Sequence, residues 1–269
     1  MNCTAEYLET ILDLDKRTVG VRFLEYQKDY DALSNLAEKK GSICFLVRQG
    51  MEGNHIRANK DTVTCHYGAY ALGIRKPDAS IVAGQSYYAC GLYKDKSIAR
   101  KIVDEISYIN QEIYGIEIGP VSEVESPDIV IIACNAKQAM RIVQGYAYEM
   151  GAPKNINFFG NQAMCGDLIS KPYMNSDLNL SLFCKGARAS GRFEDGEVGL
   201  SMPYHQFDKV VDGLISTVIP VATKKEKREI MERLEEKGLK FPYEMNYEYV
   251  YGIGLSRYDN MVEQMHKEE

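Results

Sequence analysis

The sequence predicts an α/β or α+β protein, a mixed β-sheet with flanking helices made of two related halves. Three observations carry that expectation. Strand-length runs of alternating or continuous apolar residues recur along the chain, capped helical periods lie between them, and one cysteine-plus-glycine pattern occurs twice.

Taken in order, Thr4 is placed to cap a first helix to about Asp13, with Tyr7, Leu8, Ile11 and Leu12 on one face. Val19–Leu24 alternates as a strand. A polar helix is expected over about 31–40, ended by Gly41, and the run Ser42–Val47 suits either strand or helix. Thr62 to Leu72 reads as a helix stopped by Gly73, and 77–94 as a looser region. Asp95 caps a helix whose isoleucines 98, 102, 106, 109 and 113 fall near helical spacing, with Gly115 closing it.

The second half opens with strand-like 116–124, followed by the apolar strand Asp128–Ala133. Asn135 then caps a helix to about Met150. Further strands are expected at Asn155–Phe159, Leu178–Cys184 and Glu197–Met202, with a loop or short helix over 161–169. A helix follows Pro203, and Thr223-Lys-Lys-Glu226 is a capping box for the last one. Residues 1–240 are expected to form one domain with halves at about 5–115 and 116–240, leaving 241–269 as a Tyr-rich irregular arm.

The repeated pattern is G-A-x-A-x-G, at Gly68–Gly73 and again at Gly186–Gly191. Each copy closely follows a cysteine, Cys65 or Cys184. Each of those cysteines has another about twenty residues upstream, Cys44 or Cys165. If the echo is a duplication, a pseudo-two-fold arrangement would gather four thiols. Small residues at this spacing permit close backbone approach, to another segment or to a ligand.

Composition narrows the classes of function. The chain has 269 residues, 45% hydrophobic and 26% charged, with a net charge of −6. That balance carries no electrostatic footprint for nucleic acid. No stretch reaches the length of a membrane span, and the acidic N-terminus does not read as a secretory signal. Seven cysteines, an odd number in a chain of this length, fit reduced thiols in the cytoplasm.

The chemistry expected of Cys44, Cys65, Cys165 and Cys184 is ligation of a soft metal or an iron–sulfur cluster, since four thiolates are a common ligand set for both. No C-x-x-C pair is present, so tertiary structure must assemble them. The other cysteines read as small buried hydrophobes. Gly68, Gly186 and Asn161 are candidates for lining a ligand, with Arg48 and Arg188 as clamps for a carboxylate or phosphate. His55 lies in a Gly/Asn loop that could meet a ligand. There is no P-loop, dinucleotide fingerprint, nucleophile elbow or zinc-protease motif.

The set Val19–Leu24, Cys44-Phe-Leu-Val-Arg48, Cys65–Gly73, Ser181–Arg188 and Gly199-Leu-Ser-Met-Pro203 resembles the domain of unknown function 169 family over about residues 5–235. The resemblance implies a single family-wide domain, a cytoplasmic location and an anaerobic setting compatible with oxygen-sensitive cofactors. It implies no activity.

The leading expectation is therefore a cytoplasmic metal- or iron–sulfur-binding protein held by the four cysteines, acting in redox or cofactor chemistry. Two other readings stay open. One is a binding module for a tetrapyrrole or other small molecule between the halves, lined by Tyr67, Tyr70, Tyr87, Tyr88 and the Tyr-rich arm. The other is a thiol enzyme using Cys65 or Cys184. Expected partners are a small-molecule ligand or a redox partner, with no nucleic acid or membrane. A homo-oligomer is compatible with all of this.

Overall fold

Alternating apolar side chains on β-strands bury two faces at once, and this chain builds its centre that way. The computed structural model describes residues 3–251. The first half runs α1 (Cys3–Leu12), β1 (Val19–Leu24), α2 (Gln27–Ala32), β2 (Ala37–Glu38), α3 (Ile43–Met51), β3 (Ile56–Asn59) and α4 (His66–Ala71). It continues with α5 (Ala79–Val82), α6 (Gln85–Ala89), α7 (Lys96–Glu105) and β4 (Gly115–Pro120). The second half runs β5 (Ile129–Asn135), α8 (Ala136–Met150), a π-helix (Ala163–Ser170), α9 (Lys171–Asn175), β6 (Asn179–Ser181), α10 (Lys185–Gly191) and β7 (Glu197–Pro203). The helices α11 (Tyr204–Ser216), α12 (Val218–Val221) and α13 (Lys224–Glu236) follow.

The strands form one mixed sheet in the order β2-β3-β4-β1-β5-β7-β6. β1 and β5 meet antiparallel at the seam, with Val21 opposite Ile129. Outward from that seam, β1 is followed by β4 and β3, and β5 by β7 and β6, every pair antiparallel. The G-A-x-A-x-G helices α4 and α10 follow the corresponding outer strands β3 and β6. Beyond the β1–β5 pair lie β4, β3 and β2 on one side and β7 and β6 on the other; β4, expected to open the second half, pairs on the side of β1 instead.

Two cores flank the sheet. Ile129, Ile131 and Ala133 of β5 face one with Leu46, Val47, Ala69, Met164, Cys165 and Phe183. Val130, Ile132 and Cys134 face the other, with Leu8, Ile142, Phe207, Val211, Leu214 and Leu234 from α1, α8, α11 and α13. The closest helix packing, α8 on α11, depends on paired glycines. A Cβ on Gly145 would lie 2.6 Å from the Val210 carbonyl.

Several elements differ from the sequence expectation. The run 42–47 is helical, with Ser42 Oγ accepting from the Phe45 N–H. The helix expected over 31–40 lies earlier, as α2, and Ala37–Glu38 instead pairs in parallel with β3. The helix with Cys65 begins at His66, because Gly41 bridges Val63 and holds that segment extended. α7 stops at Glu105; beyond it the Ile109 and Ile113 N–H groups donate to the carbonyls of Ala71 and Gly73 at the end of α4. Asn155–Phe159 is not a strand. The Asn179 side chain pairs with both the N–H and the carbonyl of Asn157, standing in for a neighbouring strand.

Candidate functional site

All four expected cysteines lie at helix starts on the same face of the sheet. Cys44 is the second residue of α3. Cys65 is the N-cap of α4, and its Sγ accepts from the Gly68 N–H at 3.4 Å. Cys165 is the third residue of the π-helix, where its Sγ–H faces the Gln162 carbonyl at 3.8 Å. Cys184 is the N-cap of α10, reached through Phe183 at φ 60°. Cys165 is buried, while Cys44, Cys65 and Cys184 are half-buried, so the group has a floor and an open side.

Cys44 lies within electrostatic reach of Cys184 and Cys65, and Cys165 within reach of the other three. Burial pushes the Cys44 thiol up, and the proximity of Cys184 and Cys65 adds to the rise. Burial pushes Cys165 up further, again with contributions from Cys65, Cys44 and Cys184. Among the described residues no group of three or more His, Cys, Asp or Glu side chains is placed to hold a metal ion.

Glycines set the spacing. A Cβ on Gly68 would lie 2.8 Å from Ile43, so its absence lets α4 rest on the start of α3. A Cβ on Gly186 would stand 3.7 Å from Cys184 Sγ. Gly191 closes α10 against the Cys44 carbonyl, where a Cβ would lie at 3.0 Å. The repeated motif thus serves helix packing at the cysteines.

The other expected ligand-lining side chains have partners within the chain, Arg48 only in part. Arg48 lies one turn beyond Cys44 on α3 and pairs through Nε with Glu52 at 2.9 Å, while its Nη1 is buried with no hydrogen-bond partner. Arg188 donates to the carbonyls of Leu182, Glu194 and Glu197, stapling α10 to its flanks. Asn161 donates to the Tyr93 hydroxyl at 2.5 Å. His55 is held by buried Glu117 at 2.7 Å.

Three features were not foreseen. The first is the π-helix, a form that in most structures appears as a single turn and frequently marks functional sites. It starts at Gln162, a non-glycine residue at φ 49°, whose amide donates to the Tyr87 hydroxyl. The second is Asp167, two residues after Cys165, which burial pushes up to about 7 and which accepts from Ser181 Oγ at 2.8 Å. The third is the stacking of tyrosines expected to line a ligand: beside Cys165, Tyr67 stacks on Tyr87 at 4.9 Å and Tyr70 on Tyr108 at 4.1 Å. The Ser42 cap had a sequence signal, a serine before an apolar run. The π-helix has none, since its period is not in the residue pattern.

The described part of the Tyr-rich arm lies away from this site. Phe241 and Met245 pack on the core opposite the cysteines, and buried Lys227 of α13 holds the Asn246 and Tyr249 carbonyls. Tyr258 lies outside the described residues. Cavities of about 680, 520 and 180 Å³ open beside α13, between α1 and α13, and near Cys134. None of these three is lined by any of the four cysteines.

The profile of a family described as uncharacterised ArCR, the domain of unknown function 169, matches residues 7–213. The chain belongs to the domain of unknown function 169 family. The region matched to this family contains all four cysteines and ends before α13 and the Tyr-rich arm. An uncharacterized protein of Methanocaldococcus jannaschii is 28% identical over 213 residues, covering 78% of this chain and 91% of the relative. No solved structure matches the chain.

Proposed function

We propose that Cys44, Cys65, Cys165 and Cys184 bind a metal centre, an iron–sulfur cluster ahead of a single zinc, and that the protein is a cytoplasmic redox or cofactor-handling protein. The observation carrying this reading is that Cys44 and Cys184 pack on the core cluster that contains Cys165, with Cys65 within electrostatic reach of Cys44 and Cys165.

The donor chemistry fits. Soft thiolates suit zinc and iron–sulfur clusters, and the raised thiols at Cys44 and Cys165 stay protonated until a cation displaces the protons. The Gly68 N–H is bonded to Cys65 sulfur, which fixes that side chain at the start of α4. A tetrahedral zinc at about 2.3 Å from each sulfur needs them tightly convergent. Bound, an iron–sulfur cluster would supply one-electron chemistry. The chain's part is to hold four sulfurs at helix starts, exclude water around Cys165 and leave one side open.

The tetrapyrrole reading has less support, because the cavities described above avoid these cysteines and the described tyrosine arm packs on the other core.

The test is purification without oxygen, with absorption spectroscopy and assays for iron, sulfide, zinc and cobalt. Matching iron and sulfide with broad sulfur-to-iron absorption, lost in Cys→Ser variants of the four but kept in Cys90→Ser, is the expected result. A colourless, metal-free protein that takes up no iron on anaerobic reconstitution overturns the proposal.

A further inference from the structure

Between α1 and α13 lies a cleft of about 520 Å³, a size typical of small-molecule sites. It is separate from the thiol group. Its walls are one face of α1, the approach to β1 at Arg17 and Thr18, the segment from Pro120 to Ser122, and the last turn of α13.

The charge of the cleft is negative once internal pairs are set aside. Four carboxylates line it, Glu6, Glu9, Asp13 and Glu236, with Arg17, Arg233 and Lys237 as the cations. Arg233 is turned onto the end of α1, where Nε donates to Thr10 O at 2.9 Å and Nη2 to Ile11 O at 3.1 Å, with Asp13 at 3.8 Å. Arg17 pairs at 3.4 Å with Glu123, which is not part of the lining. That leaves Glu6, Glu9 and Glu236 against one cation, Lys237. Both helices also end at the cleft, α1 at Leu12 and α13 at Glu236, and helix C-termini carry partial negative charge.

The floor is polar and incompletely bonded. Glu9 is half-buried, and the Thr18 N–H donates to its Oε1 at 2.6 Å. Burial pushes this carboxyl up, against the pull of Thr18 beside it. Thr18 is 1% exposed, and its hydroxyl makes no hydrogen bond of acceptable geometry. A buried hydroxyl left without a partner costs free energy that a donor in the cleft would recover.

We propose that this cleft binds a small organic ligand through a primary ammonium, which donates to the Glu9 carboxylate and the Thr18 hydroxyl while its alkyl chain lies against Leu14 and Val121. An ammonium carries three donors on one compact charge, which suits two acceptors at the bottom of a negative cleft. A carboxylate or phosphate would meet three carboxylates and two helix C-termini instead. Among the described residues no three carboxylates are grouped to hold a metal ion, so the cation that fits is organic. The proposal does not depend on the thiol reading.

The test is isothermal titration calorimetry on the full chain with putrescine, L-lysine and glutarate as probes. At least one of the two ammonium probes is expected to bind with a Kd of about 1 mM or tighter, and glutarate is expected not to bind. Putrescine alone marks a diamine site, L-lysine alone an amino-acid site with Lys237 on the carboxylate, and both together a site that reads the ammonium. Glu9→Gln keeps an acceptor for the Thr18 N–H and is expected to weaken binding about tenfold. Thr18→Val, and separately the exposed double variant Glu6→Gln/Glu236→Gln, are each expected to weaken it about threefold. Asp104→Asn, exposed and outside the cleft, is expected to bind as the native chain does. Circular dichroism shows that each variant is folded. Failure of both ammonium probes, equal binding of glutarate, or native affinity in any folded cleft variant overturns the proposal.

Discussion

The carbonyl of Cys44 and the α-carbon of Gly191 are in contact across the two halves, so close that a methyl group on Gly191 would stand 3.0 Å from that oxygen and closer still to the Phe193 ring. This joins α3 to α10, and with them Cys44 to Cys184. Gly191→Ala should therefore separate the two helices. The expected cost is about 1–3 kcal/mol, the usual penalty of overpacking. Urea denaturation measures it. Metal content should fall with it, whereas Gly196→Ala, in open space, should change neither.

Thiol labelling should rank the cysteines by access. Cys90 is exposed, Cys44, Cys65 and Cys184 are half-buried, and Cys165 is buried with a raised thiol. In metal-free native protein, Cys90 should be alkylated before Cys44, Cys65 and Cys184, and the buried Cys134 and Cys165 last, with rates differing by roughly a hundredfold or more. Mass spectrometry of timed quenches reads this. Rapid labelling of Cys165 would contradict the buried floor.

Arg188→Lys should weaken the protein although charge is kept. The guanidinium serves three carbonyls from one plane, which an ammonium on a flexible stem does not reproduce. A loss of about 1–2 kcal/mol is expected, with faster hydrogen exchange along α10. If lysine fully restores the native midpoint, the staple contributes through charge alone.

The acid limb of stability should depend on Glu226. Burial pushes its carboxyl up, but hydrogen bonds from Lys137 and Thr223 prevail and bring it down to about 2. A depressed carboxylate stabilises the fold above its unfolded value of 4.5, and the contribution is lost as pH falls towards 2. Glu226→Gln keeps an acceptor for the Thr223 N–H but not the charge. Its urea midpoint should sit below the native one at pH 6 and converge with it by about pH 2.

The legible parts of the fold were those written in local pattern. Asn135 and Thr223 announce α8 and α13 because capping boxes are residue-specific, and both boxes form. The strands at Val19 and Ile129 carried enough apolar residues to decide themselves. Asn155–Phe159 had strand-like residues but meets the side chain of Asn179 instead of a strand, a partner that spacing does not reveal. The isoleucine period after Asp95 continued past the helix, since Ile109 and Ile113 pack in the core from an extended segment. The four cysteines could be chosen from the echo alone. Gln162 and Asp167 could not, because they depend on a π-helix, and Tyr67, Tyr70 and Tyr87 were legible only as a group, not as the stacked pairs they form.

The antiparallel seam between β1 and β5 has a consequence for dissection of the molecule. Cys44 and Cys65 belong to one side, Cys165 and Cys184 to the other, and the turn at 121–127 is where the chain crosses over. A cut in that turn yields two fragments, each with half of the ligand set and one raw strand edge. Neither fragment would be a reduced version of the whole. On the proposed reading, the two fragments would regain absorption only when recombined with iron and sulfide, so colour would report their reunion.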